Sequence, residues 1–318
     1  MSGVACKKGE EMTRLLNEII ELVEREFFDT TFLKERWNAI KVQVQEDYAK
    51  ATSVAERERL LNTLLVQIGT SHTLLITPEL SAKIDRAEQE KTESALSYEE
   101  VDGVLFAELT SFQVRSIRRE ERAKFADALA EVDTLILDMR VNSGGSCSAV
   151  ASFASLFLLP NLPVANVRDR EGLQRKHATI SPPIPEEENI DHAKEVELMQ
   201  THHYLQFQTG GEEMPHFSGE VVILISKDCY SCGEVFVQVM KEEGRAKVVG
   251  ERSSGAVVAG TVYELRNGYS LLLPFALIES GRGTVLEGRG VEPDVEMSFN
   301  EMTSQKIVRE LRHQKLIG

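Results

Sequence analysis

The chain is organised around residues 219–260, GEVVILISKDCYSCGEVFVQVMKEEGRAKVVGERSSGAVVAG. The apolar run Val221–Ile225 predicts a buried strand. After a polar turn, the apolar residues between Gly233 and Glu242 recur at helical spacing, which predicts a helix with one buried face. A second apolar strand is expected at Val248–Val249. The order of strand, turn, helix and strand predicts a βαβ unit.

The turn of this unit carries Ser231 at the point where the helix begins. Ser is a preferred N-cap residue, so one interpretation is that its hydroxyl only caps the helix. The other interpretation is a nucleophile, because unpaired backbone N–H groups and the positive end of the helix dipole favour a developing oxyanion. The turn has no G-x-S-x-G pattern that would decide between them. Both interpretations stay open at this stage.

Composition narrows the classes of partner. The net charge is −15, which argues against nucleic acid or an anionic membrane as the main partner. No apolar run reaches 18 residues, so no membrane span is expected. The residues before Cys6 are too few for the apolar part of a signal peptide, although Val4-Ala5-Cys6 resembles a lipoprotein cleavage site. We therefore expect a cytoplasmic protein, with an anchor removed by trimming as the alternative.

The four cysteines are too sparse for a disulfide scaffold in a chain of 318 residues, so reduced thiols are expected. Cys229-Tyr-Ser-Cys232 is formally a C-x-x-C sequence, which is typical of redox pairs and of some zinc sites. A redox pair at this late position of the chain is unusual, and the additional ligands that zinc requires do not follow at suitable spacing. We expect no metal and no cofactor.

The remaining sequence predicts a mixed α/β (α+β) fold. Helical periodicity predicts an N-terminal helical segment over 1–78, and residues 79–318 are expected to form an α/β core based on βαβ units with a β-rich C-terminal part. Residues 81–100 are charged and are predicted as helix and loop. Prolines and glycines make 160–218 a loop-rich cap or lid insertion. Asn267-Gly268 between two apolar runs predicts a hairpin.

Another strand, followed by a glycine-containing turn and a helix, lies earlier in the chain than the unit that contains Ser231. The buried strand at Thr134–Met139 ends in a turn with Gly144-Gly145, where backbone N–H groups can approach an oxyanion closely. Ligands of open α/β sheets bind at the carboxyl ends of parallel strands, so this turn and Ser231 are expected to converge. His72, in a loop after the N-terminal helices, is a candidate base that needs an orienting acceptor. Spacing alone does not choose that acceptor, and the candidate carboxylates are Glu279, Glu287, Glu292 and Asp294.

Three ordered motifs resemble the tail-specific, or C-terminal processing, serine peptidases. Residues 135–145, LILDMRVNSGG, resemble the family's strand that leads into Arg-x-Asn-Gly-Gly-Gly, with Ser143 in place of the first glycine. Residues 221–251 resemble its nucleophile strand, turn and helix, including the Gly-Arg-Ala-x-x-Val-Gly-Glu ending. Residues 288–294, GRGVEPD, resemble its closing Gly-Val-x-Pro-Asp. The likeness spans about residues 101–298.

The resemblance implies roles for individual residues. Many bacterial members carry a Lys base 25 residues after the nucleophilic Ser, but this position is Ala256 here. The tricorn-like and retinoid-binding-protein-like branch, which this chain resembles, instead has an early Ser-His and a Glu before the closing motif. The matching residues are the nucleophile Ser231, the base His72 assisted by Ser71, and the orienting acid Glu287; oxyanion donors are expected at Gly144, Gly145 and Cys232.

The resemblance also implies the function. The prediction is a serine hydrolase, and in particular a peptidase, that acts on a peptide or a small acyl substrate through an acyl-enzyme. About thirty residues separate His72 from Gly103, so we expect no PDZ-like domain between them. Two alternatives stay open: a non-catalytic ligand-binding module of the same fold, and an esterase, acyltransferase or peptide-maturation enzyme that uses the same site. The oligomeric state is not predicted.

Overall fold

A computed structural model describes residues 2–90, 94–113, 119–172, 178–180, 192–210, 217–300 and 302–318. The helices are α1 Ser2–Glu26, α2 Thr30–Phe32, a π-helical turn Leu33–Trp37, α3 Asn38–Lys50, α4 Val54–Ile68, α5 Pro78–Glu90, α6 Arg119–Ala130, α7 Cys147–Ala154, α8 His192–His202, α9 Cys232–Glu242 and α10 Ser304–His313. The strands are β1 Leu74–Ile76, β2 Leu96–Val101, β3 Val104–Leu109, β4 Thr134–Asp138, β5 Pro163–Asp169, β6 Ala178–Ile180, β7 Tyr204–Gln208, β8 Glu220–Ile225, β9 Lys247–Gly250, β10 Val258–Glu264, β11 Ser270–Ser280 and β12 Val295–Glu296.

The chain divides into two compact units, and the first contains Met1–Thr92 with Val258–Leu277. The helical segment predicted over 1–78 lies within this unit. Ser53 caps α4, and Gly69 ends this helix in the left-handed conformation at φ 77°. Strands β1 and β10 both pair antiparallel with β11, and the predicted hairpin is present. The core includes Leu15, Ile19, Trp37, Tyr48, Leu61, Leu64, Leu75 and Leu271.

The second unit, Glu93–Val257 with Ile278–Gly318, is built on a six-stranded sheet in the order β12-β9-β8-β4-β3-β2. All neighbours are parallel except β2 and β3. Buried apolar residues of β3, β4 and β8 share a core with α10. The rings of Phe112, Phe153 and Phe236 pack together with centroids 5.4–5.9 Å apart. This sheet confirms the predicted mixed α/β class.

The register of β4 and β8 positions the two turns of interest. Asp138 lies opposite Leu224, so the carboxyl ends of these parallel strands are adjacent. The predicted helices after both strands are present as α7 and α9. The unit also contains antiparallel β5–β7 and parallel β7–β6 pairs within the region expected as a cap. Residues 173–177, 181–191 and 211–216 of that region lie outside the described residues.

One expectation for the region 81–100 is wrong. Helix α5 continues to Glu90 as predicted, but Leu96–Val101 forms strand β2 rather than a loop. Its burial pattern explains the error, because only the first and last residues of the strand are buried. The charged residues between them lack the alternating apolar pattern that predicts a strand. Pairing with β3 through the Asp102-Gly103 turn, at φ 51° and 78°, forms the strand instead.

Candidate active site

Ser231 lies in a strained turn between β8 and α9. Its backbone adopts φ 54° and ψ −126°, which is unusual for a residue with a side chain, and its side chain is 8% exposed. Such a conformation costs about 1–3 kcal/mol and persists only where the surroundings hold it. Strained strand-to-helix turns of this kind carry the nucleophilic Ser of α/β-hydrolases. Ser231 also takes the N-cap position of α9, so both roles that the sequence allowed remain compatible.

The buried carboxylate of Glu234 holds the Ser231 turn in place. It accepts hydrogen bonds from the N–H of Ser231 at 3.0 Å, the hydroxyl of Ser253 at 2.6 Å, and the N–H groups of Gly255 and Ala256 at 2.6 and 3.0 Å. Burial raises the pKa of Glu234, and these four hydrogen bonds oppose the increase. The carboxylate therefore joins the nucleophile turn to the segment that follows β9.

Ala256 contacts the nucleophile turn directly through its main chain. Its carbonyl oxygen accepts the N–H of Ser231 at 3.1 Å. The sequence comparison within the family pointed to this position as the site of a Lys base in many bacterial members. Ala has a methyl group there, so this position supplies no titratable group beside Ser231.

The glycine turn after β4 touches the nucleophile turn. A Cβ atom at Gly144 would lie 2.7 Å from the Cβ of Ser231 and 3.1 Å from the nitrogen of Cys232. Gly145, at φ 151°, packs on the main chain of Phe112, where a Cβ would lie 2.2 Å from the carbonyl carbon. Glycine is required at both positions by the closeness of the neighbouring chain. The predicted convergence of the Gly144-Gly145 turn with Ser231 is therefore present.

The two glycines differ in how their N–H groups are used. Gly144 donates to the side-chain oxygen of Asn142 at 2.9 Å. Within the described part of the chain, the N–H groups of Gly145 and Cys232 donate no hydrogen bond. Cys232 is the first residue of α9, where backbone donors have no partner within the helix. Two backbone donors are thus available beside Ser231.

The thiol of Cys232 contacts Cys147, which is the first residue of α7. The two sulfur atoms lie 3.7 Å apart, and both residues are buried and unoxidised. The hydrogen bond to Cys232, together with burial, raises the pKa of Cys147. Burial likewise raises the pKa of Cys229. Raised thiol pKa values are typical of structural rather than reactive cysteines. Among the described residues, no group of three or more His, Cys, Asp or Glu could hold a metal ion.

The four carboxylates that residue spacing left open have different bonding partners in the structure. Glu287 accepts the N–H of Val257 at 2.6 Å, which places it next to Ala256 on the segment bonded to Ser231. The other three are engaged elsewhere: Glu279 with Arg168, Glu292 with Arg252, and Asp294 with Lys241 and the N–H of Val248. Glu287 is therefore the candidate carboxylate that bonds to the residue following Ala256, whose carbonyl accepts the N–H of Ser231.

Ser71 and His72 lie in the first compact unit, whereas the other candidate residues lie in the second. The hydroxyl of Ser71 and Nδ1 of His72 are joined by a hydrogen bond of 2.9 Å. His72 has a positive φ of 53°. A Cβ atom added at Gly260 would lie 3.1 Å from the Cβ of His72. Gly260 thus leaves room for the His72 side chain. The hydrogen bond leaves Nε2 as the ring nitrogen that Ser71 does not engage.

Sequence reasoning missed two polar residues that organise this site. Asn142 and Glu234 are both 0% exposed. The Asn142 side chain bonds the main chain of Leu109 and Gly144, and the Glu234 carboxylate bonds the N–H groups of Ser231, Gly255 and Ala256. Asn142 stands within the quoted glycine motif and Glu234 within the predicted helix, but the sequence analysis gave neither residue a role. Buried Asn and Glu side chains need partners, and only the fold reveals which partners they have.

Comparison with known proteins gives the family. The profile of peptidase family S41 matches residues 104–297. The carboxyl-terminal-processing peptidase 3, chloroplastic, of Arabidopsis thaliana is 26% identical over 199 residues, which cover 63% of this chain and 32% of that protein. The chain spans about a third of the length of the curated relatives it matches. None of the described helices has the length and apolar character to cross a membrane.

Solved structures share the fold. A lipoprotein from Streptococcus agalactiae matches with a TM-score of 0.62 at 17% identity, over 96% of each chain. The tricorn protease matches with a TM-score of 0.59 at 14% identity, over 96% of this chain and 36% of that one. Because the family profile covers more than half of the sequence, the chain belongs to peptidase family S41.

Proposed function

We propose that the protein is a serine peptidase that cleaves peptide bonds through an acyl-enzyme on Ser231. The observation that carries this proposal is the strained Ser231 turn in contact with the glycine turn, with two unused backbone N–H groups beside it. Acyl transfer requires a nucleophile and donors for the oxyanion at one point, and this arrangement supplies both.

In the proposed reaction, Oγ of Ser231 attacks the carbonyl carbon of the substrate while His72 takes the hydroxyl proton. The N–H groups of Gly145 and Cys232 stabilise the resulting oxyanion. We assign the glycine donor to Gly145 because the N–H of Gly144 already bonds Asn142. The C–N bond then breaks, and His72 passes its proton to the leaving amine. Water attacks the acyl-enzyme in the same way and releases the second product.

The choice of His72 rests on the Ser-His pattern of the tricorn-like branch and on the Ala at position 256, which removes the alternative Lys base. The Ser71 hydroxyl bonded to Nδ1 supports a fixed ring orientation with Nε2 as the basic atom. Glu287 is proposed as the orienting acid, which is supported by its position on the segment bonded to Ser231. In this proposal Ser71 assists His72 and Glu287 stabilises its protonated form.

A fluorophosphonate probe tests the proposal without knowledge of the substrate. The probe should label Ser231 of the folded wild type, and Ser231→Ala should abolish labelling. His72→Ala should lower the labelling rate by several orders of magnitude, as removal of a triad member does. Ser254→Ala and His313→Ala, which alter exposed residues, are matched controls and should label as the wild type does. No labelling of folded wild type would sink the proposal.

The same probe-reactive protein can then be compared on peptide, ester and thioester substrates. A peptidase should hydrolyse peptide amides with Ser231-dependent kinetics. Turnover of esters or thioesters alone would replace the peptidase by an esterase or acyltransferase that uses the same residues. Tight binding of an apolar ligand without any turnover would favour a non-catalytic binding module.

A further inference from the structure

Asn142 is a fully buried side chain between β4 and the glycine turn, with all of its polar groups bonded to main chain. Its Nδ2 donates to the carbonyl of Leu109, at the end of β3, at 2.8 Å. Its Oδ1 accepts the N–H of Gly144 at 2.9 Å. Its own carbonyl oxygen accepts the N–H of Tyr230, in the nucleophile turn, at 2.9 Å. One residue therefore joins three separate segments around the site.

The contact between Oδ1 and Gly144 has the form of an Asx turn, in which an Asn side chain replaces a main-chain acceptor two residues before the donor. It also occupies the N–H of Gly144, so that Gly145 is the glycine of this turn with a free donor. The packing is close on the other side as well. A Cβ at Gly233 would lie 2.5 Å from Oδ1 of Asn142, so the first turn of α9 rests directly on this amide.

We propose that Asn142 is a positioning residue that fixes the glycine turn relative to the nucleophile turn and thereby makes the Gly145 N–H the oxyanion donor. This inference rests on the proposed function and adds a residue to it. Its side chain acts through Leu109 and Gly144, which fixes the N–H of the adjacent Gly145, and its main-chain carbonyl bonds Tyr230.

The physical reason is the precision that an oxyanion hole needs. Donors must lie about 2.7–3.1 Å from the oxyanion, and loss of one donor costs about 10²–10³ in kcat. A displacement of about 1 Å costs about 100-fold. Loss of the Asn142 bonds should therefore weaken transition-state binding much more than substrate binding, so that kcat falls while KM changes little.

Two variants separate this role from a merely structural one. Asn142→Leu keeps a similar volume but removes both side-chain hydrogen bonds. Asn142→Asp keeps the acceptor for Gly144, but its ionised form has no donor and faces the Leu109 carbonyl. When protonated, the Asp regains a donor and can make both bonds. Burial beside a carbonyl favours the protonated form, so its activity should recover as the pH falls.

We expect Asn142→Leu to lower kcat about 100-fold or more with KM changed less than about 3-fold. The affinity for a peptide aldehyde, which forms a tetrahedral adduct on Ser231, should fall in parallel with kcat, whereas the affinity for a product peptide should not change. The activity of Asn142→Asp relative to wild type should increase as the pH is lowered. Asn62→Asp, an exposed asparagine on α4, is the matched control and should give a constant ratio.

If Asn142→Leu does not fold, the pH dependence of the Asn142→Asp ratio decides the question. A pH-independent ratio would overturn the inference, and so would an Asn142→Leu variant with wild-type kcat or with a raised KM alone. In each of these cases an active wild type would leave the proposed function intact. A folded wild type that neither reacts with the probe nor hydrolyses peptides would overturn both.

Discussion

Replacement of Gly144 by Ala should strongly slow the reaction proposed at Ser231 through one added methyl group. At φ 77°, an Ala residue costs about 1–2 kcal/mol more than Gly. The new Cβ would also lie 2.7 Å from the Cβ of Ser231, when ordinary contacts begin at about 3.4 Å. The two turns must therefore separate by about 0.7 Å. Overpacking of this kind costs a further ~1–3 kcal/mol, so we expect a total loss of about 2–5 kcal/mol in unfolding free energy.

Gly103→Ala is a matched control for the cost of placing an Ala residue at positive φ. Gly103 has φ 78°, and a Cβ there meets nothing within 4 Å. The unfolding free energy of Gly103→Ala should therefore fall only by the backbone cost of about 1–2 kcal/mol, and this variant should keep full activity. Urea unfolding measures the stability of both variants. The second-order rate of fluorophosphonate labelling at Ser231 measures the geometry of the site, and for Gly144→Ala we expect it to fall about 100-fold.

The comparison of the two variants is decisive because their backbone cost is nearly the same. Equal labelling rates for Gly144→Ala and Gly103→Ala would refute the contact between the glycine turn and the nucleophile. Equal unfolding free energies would show that the turns separate without strain, which contradicts the close packing of Gly144 on Ser231.

Three further predictions concern the surrounding fold. Burial raises the pKa of Tyr48 to about 12, whereas the unfolded chain keeps the ordinary value of about 10. The stabilising contribution of the neutral phenol is therefore present below pH ~10 and is lost as the pH rises to ~12. Over this range the unfolding free energy of wild type, measured with urea, should fall by about 2–3 kcal/mol more than that of Tyr48→Phe. Glu195 accepts hydrogen bonds from Ser146 and from the N–H of Ser148 at the start of α7, so Glu195→Leu should cost about 1.5–3 kcal/mol in urea unfolding, whereas Glu195→Gln, which keeps the acceptor, should cost less. Burial raises the pKa of Cys229, so mass spectrometry should find it alkylated by iodoacetamide only after unfolding, and rapid labelling of the native protein would contradict its burial.

Local patterns were sufficient to predict many elements of the fold. The apolar runs of β4 and β8, each followed by a polar turn and a helical period, predicted two units that the structure contains. The Asn267-Gly268 hairpin also followed from residue type. These signals work because the conformation of a few neighbouring residues decides them. Strand β2 was missed because its pairing with β3, and not its own pattern, defines it.

The candidate site, like the fold, could be predicted from the sequence only in part. Sequence motifs alone pointed to Ser231, Gly144, Gly145 and Cys232, and the adjacent parallel strands β4 and β8 explain why these residues meet. The family resemblance chose Glu287 among the four candidate carboxylates, and the folded chain shows that their bonding partners differ. Sequence spacing could not make that choice, because all four residues lie within the same short part of the chain.

By itself, the sequence determined strands β4 and β8, the turns that follow them and the type of residue at each candidate position, because these depend on local conformation and on family motifs. Only the tertiary structure decided that Asn142 occupies the N–H of Gly144, that Glu234 holds the strained Ser231, and that Cys147 contacts Cys232. The physical reason is that hydrogen bonds and close contacts between residues far apart in the chain depend on distance and direction in three dimensions, which residue order does not specify.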